Sequence, residues 1–264
     1  MERLGRWGLG LWTVLIVLFL WFPLLIILVY AFNTSNIQSW PIPGFTLRWF
    51  RVAWDDAEAR SALLLSLKAA LCATAVALVL GTMIAIGVSR FRFFGREALS
   101  FLLVLPIALP GVITGIALSS FYTFWGVQFS LWTIVIGHAT FCVVIVYNNV
   151  VARLRRTSPS LFEASMDLGA DGWQTFRFVT FPVLSTALIS GALLAFALSF
   201  DEVIVTLFTA GAQNTLPIWI LGKIRLGQQL PEVNAVVFVV IVLTVIPVIV
   251  SQRLAQDSGL LRRR

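Results

Sequence analysis

Long stretches without a charged side chain dominate this sequence. They run over residues 7–47, 69–89, 98–152, 178–200 and 233–252. A helix needs about 20 apolar residues to cross the hydrocarbon core of a bilayer. Each run is long enough for one crossing, and the run 98–152 is long enough for two. The sequence therefore predicts six transmembrane helices, near residues 10–32, 61–89, 98–124, 129–151, 184–206 and 233–252.

The composition agrees with a membrane protein. Hydrophobic residues make up 59% of the 264 residues and charged residues 12%, whereas soluble domains carry about a quarter of charged residues. Arg3 and Arg6 precede the first apolar stretch, as in a secretory signal. That stretch is longer than a signal core, and no small-residue cleavage motif is evident near Ala31, so an uncleaved anchor is predicted.

The basic residues predict the orientation of the chain, because cytoplasmic loops carry an excess of Lys and Arg. With the N-terminus inside, most of the 19 basic residues fall on inner segments. The inner residues are Arg3, Arg6, Arg90, Arg92, Arg96, Arg153, Arg155, Arg156, Arg177, Arg253, Arg262, Arg263 and Arg264. The outer residues are Arg48, Arg51, Arg60, Lys68, Lys223 and Arg225. Both termini are therefore predicted to be cytoplasmic, and the net charge of +7 reflects topology and contact with lipid, not nucleic-acid binding.

Enzyme signatures are missing from the sequence. It has no GxxxxGK[ST] phosphate-binding loop. The single histidine, His138, lies in the fourth span, which favours a hydrogen-bonded residue between helices over a catalyst. Cys72 and Cys142 fall within spans without a partner at metal-ligand spacing, and they are interpreted as apolar fillers. No catalytic or metal-ligating residue is predicted. If the protein is part of a pump, the energy for transport therefore has to come from another subunit. A channel or secondary transporter is the alternative.

The longest inner loop, 152–181, includes most of the polar sequence EASMDLGADGWQTFRFVTFP, which runs from Glu163 to Pro182. It is patterned like two short helices. The first helix begins either at Ser158-Pro159, with proline at its first position, or at Ser160 through a capping box with Glu163. Gly169 is predicted to end this helix.

The first short helix has an amphipathic pattern. Small or apolar residues recur at helical spacing, at Leu161, Ala164, Ser165 and Leu168. Asp171 is predicted to cap the second helix together with Gln174. Because the first helix also carries Glu163 and Asp167, it suits a groove on a protein better than anionic lipid headgroups, although a helix lying flat on the membrane is the alternative.

This loop resembles the "EAA" loop of binding-protein-dependent ABC importer permeases, whose pattern is Glu-Ala-Ala, three residues, Gly and then a hydrophobic-Pro exit. Glu163, Ala164, Gly169 and Pro182 match the pattern, and Ser165 departs from it at the third position. The resemblance covers about residues 60–252, including the proline-rich sequence LPIALPGVITGIAL of the third span.

The resemblance implies an all-α integral membrane protein of the bacterial cytoplasmic (inner) membrane. The implied fold has six transmembrane helices of the type I ABC importer permease, a coupling helix between spans 4 and 5, and a single permease domain over residues 1–264 with its core at 60–252. In this family the loop docks on a separate ATPase, which binds MgATP, so that no cofactor is expected on this chain. The implied coupling residues are Leu161, Phe162, Glu163, Ala164, Ser165, Asp167, Leu168 and Gly169.

The sequences FALSFDEVIV (196–205), NTLPIWI and PEVNA (231–235) resemble spermidine/putrescine permeases, and specifically the second of their two permease subunits. This implies a heterodimer with a second permease subunit, two copies of the ATPase and an external substrate-binding protein. An importer of another small solute, such as an amino-acid-like compound or an inorganic ion, is the alternative.

Asp201 and Glu202 lie near the outward end of the fifth span. Carboxylates at membrane depth are candidates for function because they usually face a bundle interior or an aqueous cavity. They suit the ammonium groups of a polyamine, and both are therefore predicted to lie on the substrate pathway. The alternative is that they pair with Lys223 or Arg225 of the following loop. In the third span, Pro106, Pro110, Gly111 and Gly115 interrupt helix geometry, which is compatible with a pore-lining bend or with a helix-packing face. Gly111 to Gly115 also form GxxxG, and packing is the favoured role of the glycines.

Overall fold

A computed structural model describes residues 2–91, 93–227 and 229–260, with side chains at 8–91, 93–227 and 229–245. The predicted inner-face residues Arg92 and Arg262 to Arg264 lie outside the described residues. The described chain is helical, and its helices are α1 (Glu2–Tyr30), α2 (Arg48–Asp55), α3 (Ala57–Arg90), α4 (Arg96–Ala108), α5 (Gly111–Phe124), α6 (Leu131–Arg155), α7 (Ser160–Asp167), α8 (Gly172–Thr175), α9 (Phe181–Phe200), α10 (Ile204–Thr209), α11 (Leu216–Leu226) and α12 (Leu230–Leu260). A π-helical turn, Phe176–Thr180, joins α8 to α9.

Helices long and apolar enough to cross a membrane coincide with the predicted spans. In the described residues four helices qualify, at Gly8–Tyr30, Ala57–Arg90, Leu131–Arg155 and Gly172–Phe200. The pair α4 and α5 adds a fifth if it counts as one bent span. The sixth predicted span coincides with α12, whose apolar stretch with described side chains, Leu230–Val245, is shorter than the others. The sixth crossing therefore stays a prediction.

The third predicted span, 98–124, is a broken helix. Helices α4 and α5 meet at an angle of 103°. Leu109 is extended, with ψ 143°, and Pro110 follows with ψ 132°. A proline disfavours the helical conformation in the residue before it and has no N–H to continue a helix, which explains the break. The third span is therefore interrupted, as its prolines and glycines indicated, and the break lies at Pro110, whereas Pro106 lies inside α4.

The fifth predicted span, 184–206, is wrong at its C-terminal end. Helix α9 ends at Phe200, and α10 begins only at Ile204. The Glu202 Oε1 atom accepts a hydrogen bond from the backbone N–H of Val205 at 2.9 Å. This carboxylate therefore starts a new short helix at a place where hydropathy alone predicts an unbroken one.

The chain divides into two compact units, residues 1–60 with 219–264 and residues 61–218. In the second unit α6 is central and packs mainly against α9, with α4, α5 and α10 around it. Cys142 is buried there, next to Val146 and Leu184, as expected for an apolar filler. In the first unit α12 packs against α1 and α2, where the rings of Phe32, Phe50 and Phe238 meet with centroids 5.1 to 5.4 Å apart. The single permease domain over 1–264 stays a prediction.

Candidate functional site

Helix α7 forms the first half of the predicted coupling segment, which is the helical part of the loop 152–181. Of the two starts that the sequence allows, α7 uses the one at Ser158-Pro159. Pro159 has helical dihedral angles, φ −56° and ψ −33°, and its carbonyl accepts from the backbone N–H groups of Phe162 and Glu163. The alternative capping box between Ser160 and Glu163 is absent from this described segment. The Ser160 hydroxyl lies 2.7 Å from that of Ser158, and Ser160 is the first residue of α7 and not its N-cap, which is Pro159.

Gly169 ends α7 as predicted. Its φ is +85°, a left-handed conformation that residues with a Cβ rarely adopt. The Gly169 N–H donates to the Met166 carbonyl at 2.9 Å, and the Ala170 N–H donates to the Ser165 carbonyl at 3.2 Å. These two bonds define a Schellman motif, which satisfies the last carbonyls of a helix and turns the chain sharply.

Helix α8 begins at the predicted cap. The Asp171 carboxylate accepts from the Gln174 N–H at 2.8 Å, and the Gln174 side chain accepts from the Asp171 N–H at 2.9 Å. This reciprocal arrangement satisfies two free donors at the start of a helix. The Ser165 hydroxyl lies 3.1 Å from that of the buried Thr175 and joins α7 to α8. Ser165 therefore faces inward, whereas the other members of the predicted stripe, Leu161, Ala164 and Leu168, are exposed.

Helices α8 and α9 form one continuous helical segment through the π-helical turn, and it spans 29 residues from Gly172 to Phe200. At 1.5 Å per residue this segment is about 40 Å long. It connects the turn at Gly169 directly to the end of α9, where Asp201 follows.

Arg90, the last residue of α3, holds the coupling segment in place. Its guanidinium carbon lies 5.2 Å from the centroid of the Phe162 ring, and its Nη2 donates to the Thr180 hydroxyl at 3.1 Å. A guanidinium over an aromatic face is stabilising by about 0.5 to 1 kcal/mol at exposed sites. In the sequence Arg90 is only an orientation signal, because nothing local to residue 90 indicates a contact with residues 162 and 180.

The outer face of α7 is apolar and exposed. Leu161 is 44% exposed and Leu168 is 89% exposed, with the exposed Ala164 between them on the same face. Within the described residues, the exposed carboxylates of Glu163 and Asp167 have no ion-pair partner. Phe162 alone among the large apolar residues of α7 turns inward, toward Arg90. The predicted coupling residues thus divide into an exposed set and an inward pair, Phe162 and Ser165.

The two predicted pathway carboxylates differ in their surroundings. Asp201 is exposed and follows the last turn of α9, whereas Glu202 is half-buried and bound to the N-terminus of α10. The Glu202 carbonyl also accepts from the Thr206 hydroxyl at 2.7 Å. Lys223, the alternative partner considered for these acids, pairs with Asp56 and Glu232.

His138 is a buried hydrogen-bonded residue between helices, as the sequence indicated. Its Nδ1 lies 2.7 Å from the Ser199 hydroxyl, and its Nε2 lies 2.8 Å from the Thr206 hydroxyl. It thereby ties α6 to both sides of the break at 201–203. Among the described residues, no three His, Cys, Asp or Glu side chains are grouped closely enough to hold a metal ion.

The glycines of α5 provide the packing face predicted from GxxxG. A Cβ added at Gly115 would lie 2.5 Å from Phe208 Cδ2, and one at Gly111 would lie 3.5 Å from Ile204 Cγ2. Helix α10 therefore packs directly on the backbone of α5. This contact and the His138 hydrogen bonds fix the segment that carries Asp201 and Glu202.

Residues 77–257 match the family described as the binding-protein-dependent transport system inner membrane component. The chain belongs to this family. It is 36% identical over 237 residues to the putrescine transport system permease protein PotI of Escherichia coli (strain K12), which covers 85% of this chain and 83% of PotI. It is 31% identical over 257 residues to the spermidine/putrescine transport system permease protein PotC of the same organism, which covers 97% of this chain and 96% of PotC.

The fold of this permease also matches a solved structure. A crystal structure of a bacterial ABC transporter involved in the import of the acidic polysaccharide alginate aligns with a TM-score of 0.71 at 16% identity, over 97% of this chain and 96% of that chain. The ABC importer permease fold implied by the sequence is therefore confirmed. The chain is a multi-pass transport subunit of the inner membrane that works with ATPase and binding-protein partners, and it is not an enzyme.

Proposed function

We propose that this permease forms half of the translocation pathway for polyamines, putrescine or spermidine, in an ATP-driven importer. The observation that carries the proposal is the sequence similarity of the chain to PotI and PotC over most of its length. Its proposed partners are a second, different permease subunit, two ABC ATPase subunits and an external binding protein that delivers the cargo. MgATP belongs to the ATPase.

The proposed contact with the ATPase is the outer face of α7. Leu161 and Leu168 are exposed, although apolar side chains of this size gain free energy when they leave water. The free carboxylates of Glu163 and Asp167 flank them and give the surface a polar rim. An apolar centre with a polar rim is the composition of a protein interface, and it supports docking into a cleft on the ATPase over contact with anionic lipid.

The continuous segment from Gly172 to Phe200 supports a mechanism of energy transfer. A movement of α7 is passed to the base of this segment through the Ser165–Thr175 contact and the Arg90 contacts. If a helical segment about 40 Å long tilts by about 10°, its far end moves by about 7 Å. In this mechanism closure of the ATPase dimer shifts Asp201 and the start of α10, and so changes access to the pathway.

Asp201 is the better candidate for contact with cargo. Its side chain is exposed, whereas Glu202 Oε1 already accepts a bond from Val205. An ammonium group passing Asp201 gains an attractive charge contact of about 1 kcal/mol in a partly solvated site. A weak site of this kind suits a permease, which has to release its cargo again.

The proposed orientation places both termini and the coupling segment in the cytoplasm. A membrane-impermeant maleimide tests it on single-cysteine variants at exposed positions, made in a background in which Cys72 and Cys142 are replaced by Ala. A cysteine at Leu168 is expected to react only after the membrane is opened. Its labelling in intact cells overturns the orientation.

The deciding experiment for the function is reconstitution of the full complex in proteoliposomes with its external binding protein. Uptake of radiolabelled putrescine and spermidine is measured together with ATP hydrolysis, and an amino acid and an inorganic ion serve as competing cargoes. Stimulation of both activities by a polyamine is expected. Stimulation by another solute alone overturns the polyamine assignment. Uptake that persists with a hydrolysis-deficient ATPase overturns ATP-driven import and indicates a channel or secondary transporter.

A further inference from the structure

Lys223 reaches into a cluster of acidic and aromatic side chains in the unit of residues 1–60 and 219–264. Its Nζ lies 3.2 Å from Asp56 Oδ2 and 3.3 Å from Glu232 Oε2. Gln229 Oε1 lies 3.5 Å from the same nitrogen. Asp56 directly precedes α3, Lys223 belongs to α11, and Glu232 lies in the first turn of α12.

An aromatic face completes the surroundings of the Lys223 ammonium. The Nζ atom lies 5.2 Å from the centroid of the Trp219 ring. This distance is within the range of a cation–π contact, for which tryptophan is the strongest partner. Two carboxylates, an amide oxygen and an indole thus surround one primary ammonium group. We call Asp56, Trp219, Gln229 and Glu232 the ammonium cage.

Two buried polar atoms of the cage are unused. The Glu232 side chain is 1% exposed, and its Oε1 has no hydrogen-bond partner among the described residues, nor does the buried Trp219 Nε1. A buried polar atom without a partner is costly and calls for an explanation. Glu232 Oε1 is an acceptor and can take a further N–H from an ammonium group, whereas the Trp219 N–H is a donor and cannot.

The cage is open on one side. The side chains of Asp56 and Lys223 are 17% and 19% exposed, whereas Glu232 is enclosed. Glu232 therefore forms the floor, and Asp56 and Lys223 lie at the entrance. A ligand from solution meets Lys223 first.

We propose that the ammonium cage is a binding site for one terminal ammonium of the cargo, and that Lys223 is its tethered competitor. This inference rests on the proposed polyamine cargo. A lysine side chain is a primary ammonium on a stem of four carbons, and it has the chemistry of one end of an aliphatic diamine. The contacts that hold Lys223 are therefore those that such a diamine would make.

The competitor has a physical consequence. A tethered group acts at an effective concentration in about the millimolar range, so Lys223 occupies the cage when little cargo is present. Free polyamine displaces it only at high local concentration, as at the moment of release from a docked binding protein. The cage then holds cargo weakly and passes it on, because Lys223 returns.

The test uses the complete permease–ATPase complex in nanodiscs without the external binding protein. Retention of radiolabelled putrescine is measured by equilibrium binding in wild type, in Lys223→Met, and in Lys223→Met combined with Glu232→Gln. Lys223→Met is expected to raise retention about tenfold, because the competitor is gone. Adding Glu232→Gln is expected to lower it about tenfold again, because a charge-assisted hydrogen bond is lost. Arg225→Met is the matched control, since it removes an exposed cation from the same helix and is expected to leave retention at the wild-type level.

A second measurement covers the case in which Lys223→Met assembles poorly because Asp56 and Glu232 then repel each other. Its melting temperature is measured with and without n-propylammonium, with 1-propanol as the uncharged control. Stabilisation by n-propylammonium alone supports the cage. If neither compound stabilises the variant, or if a well-assembled variant shows no added retention, the cluster is a structural ion pair and the inference is overturned.

The outcomes separate this inference from the cargo proposal. Polyamine uptake by wild type, with no putrescine retention in Lys223→Met, overturns the cage alone. Retention of putrescine in that variant, with no polyamine uptake by wild type, overturns the cargo assignment and with it the role of the cage in transport.

Discussion

Gly169 offers the sharpest test of energy coupling, because the cost of replacing it comes from the backbone alone. Its φ is +85°, and a Cβ built there meets no atom within 4 Å. The Cβ atom itself therefore causes no clash. What it costs is the left-handed conformation, about 1 to 2 kcal/mol for a residue with a Cβ, and less for Asn, which adopts this conformation more readily.

The expected effect follows from that free energy. A cost of 1 to 2 kcal/mol shifts a local equilibrium by a factor of about 5 to 30, here away from the Schellman turn formed by the Gly169–Met166 and Ala170–Ser165 bonds. Without that turn α7 no longer presents Leu161 and Leu168 at the same place. We expect the ratio of polyamine transported to ATP hydrolysed to fall in the order Gly, Asn, Ala, Val at position 169, with insertion in the membrane unchanged.

The assay measures uptake and ATP hydrolysis on the same proteoliposomes, normalised to assembled complex. Gly172→Ala is the matched control, because Gly172 also has open space around its Cβ position but does not have a positive φ. It is expected to couple normally. If Gly169→Val transports with the wild-type ratio, the turn at Gly169 does not set the coupling, and the proposed energy transfer is refuted.

Other predictions concern the support of the coupling segment, the pathway and the outer ion pairs. Arg90→Met removes the contacts with Phe162 and Thr180. It is expected to cost about 1 to 2 kcal/mol locally and to lower the ratio of polyamine transported to ATP hydrolysed, whereas Arg90→Lys recovers part of that ratio. Equal ratios in the two variants contradict an anchoring role of Arg90. The double variant Asp201→Asn, Glu202→Gln is expected to slow polyamine uptake about fivefold per assembled complex. Helix α10 is expected to stay in place, because Gln keeps the Oε1 acceptor. Unchanged uptake removes both residues from the pathway. Burial alone raises the pKa of Asp56, but the Ala59 N–H and the Lys223 ammonium outweigh burial and lower that pKa below 3.8. The stability due to ionised Asp56 is therefore fully present well above a pH of about 4 and is lost as the pH falls through the lowered pKa. Asp56→Asn is thus expected to lower the melting temperature of the complex at neutral pH, by an amount that shrinks as the pH is lowered below about 4. A difference in melting temperature that does not shrink as the pH is lowered further refutes the assignment.

The parts of the coupling segment that could be predicted are those whose hydrogen bonds are local in sequence. Gly169 ends a helix, and Asp171 with Gln174 begins one, through contacts within five residues. Such signals need no knowledge of the rest of the fold. Of the two alternative starts of the first helix, the capping box at Ser160 does not form, because Pro159 is the N-cap and Ser160 already lies inside α7. The motif itself does not reveal which start is used.

The parts that could not be predicted depend on contacts between distant residues or on backbone breaks. Arg90 reaches Phe162 and Thr180 only after α3 and the coupling segment are folded together. Hydropathy counts apolar residues and does not detect a break, so α9 was extended past Phe200. The pairing of Lys223 with Asp56 was missed for the same reason as the Arg90 contacts, since no periodicity links the two positions.

The exposed apolar face of α7 has a consequence for how the protein is made in the cell. Leu168 is 89% exposed, and Trp173 of the adjoining helix α8 is 65% exposed. Both lie in a segment that the proposed orientation places in the cytoplasm. A subunit synthesised in excess of its ATPase displays these side chains to chaperones and proteases, as an incompletely folded chain does. If α7 docks on the ATPase as proposed, the supply of ATPase limits how much permease accumulates. Production of the permease for biochemical work therefore calls for matched expression of both genes from one transcript.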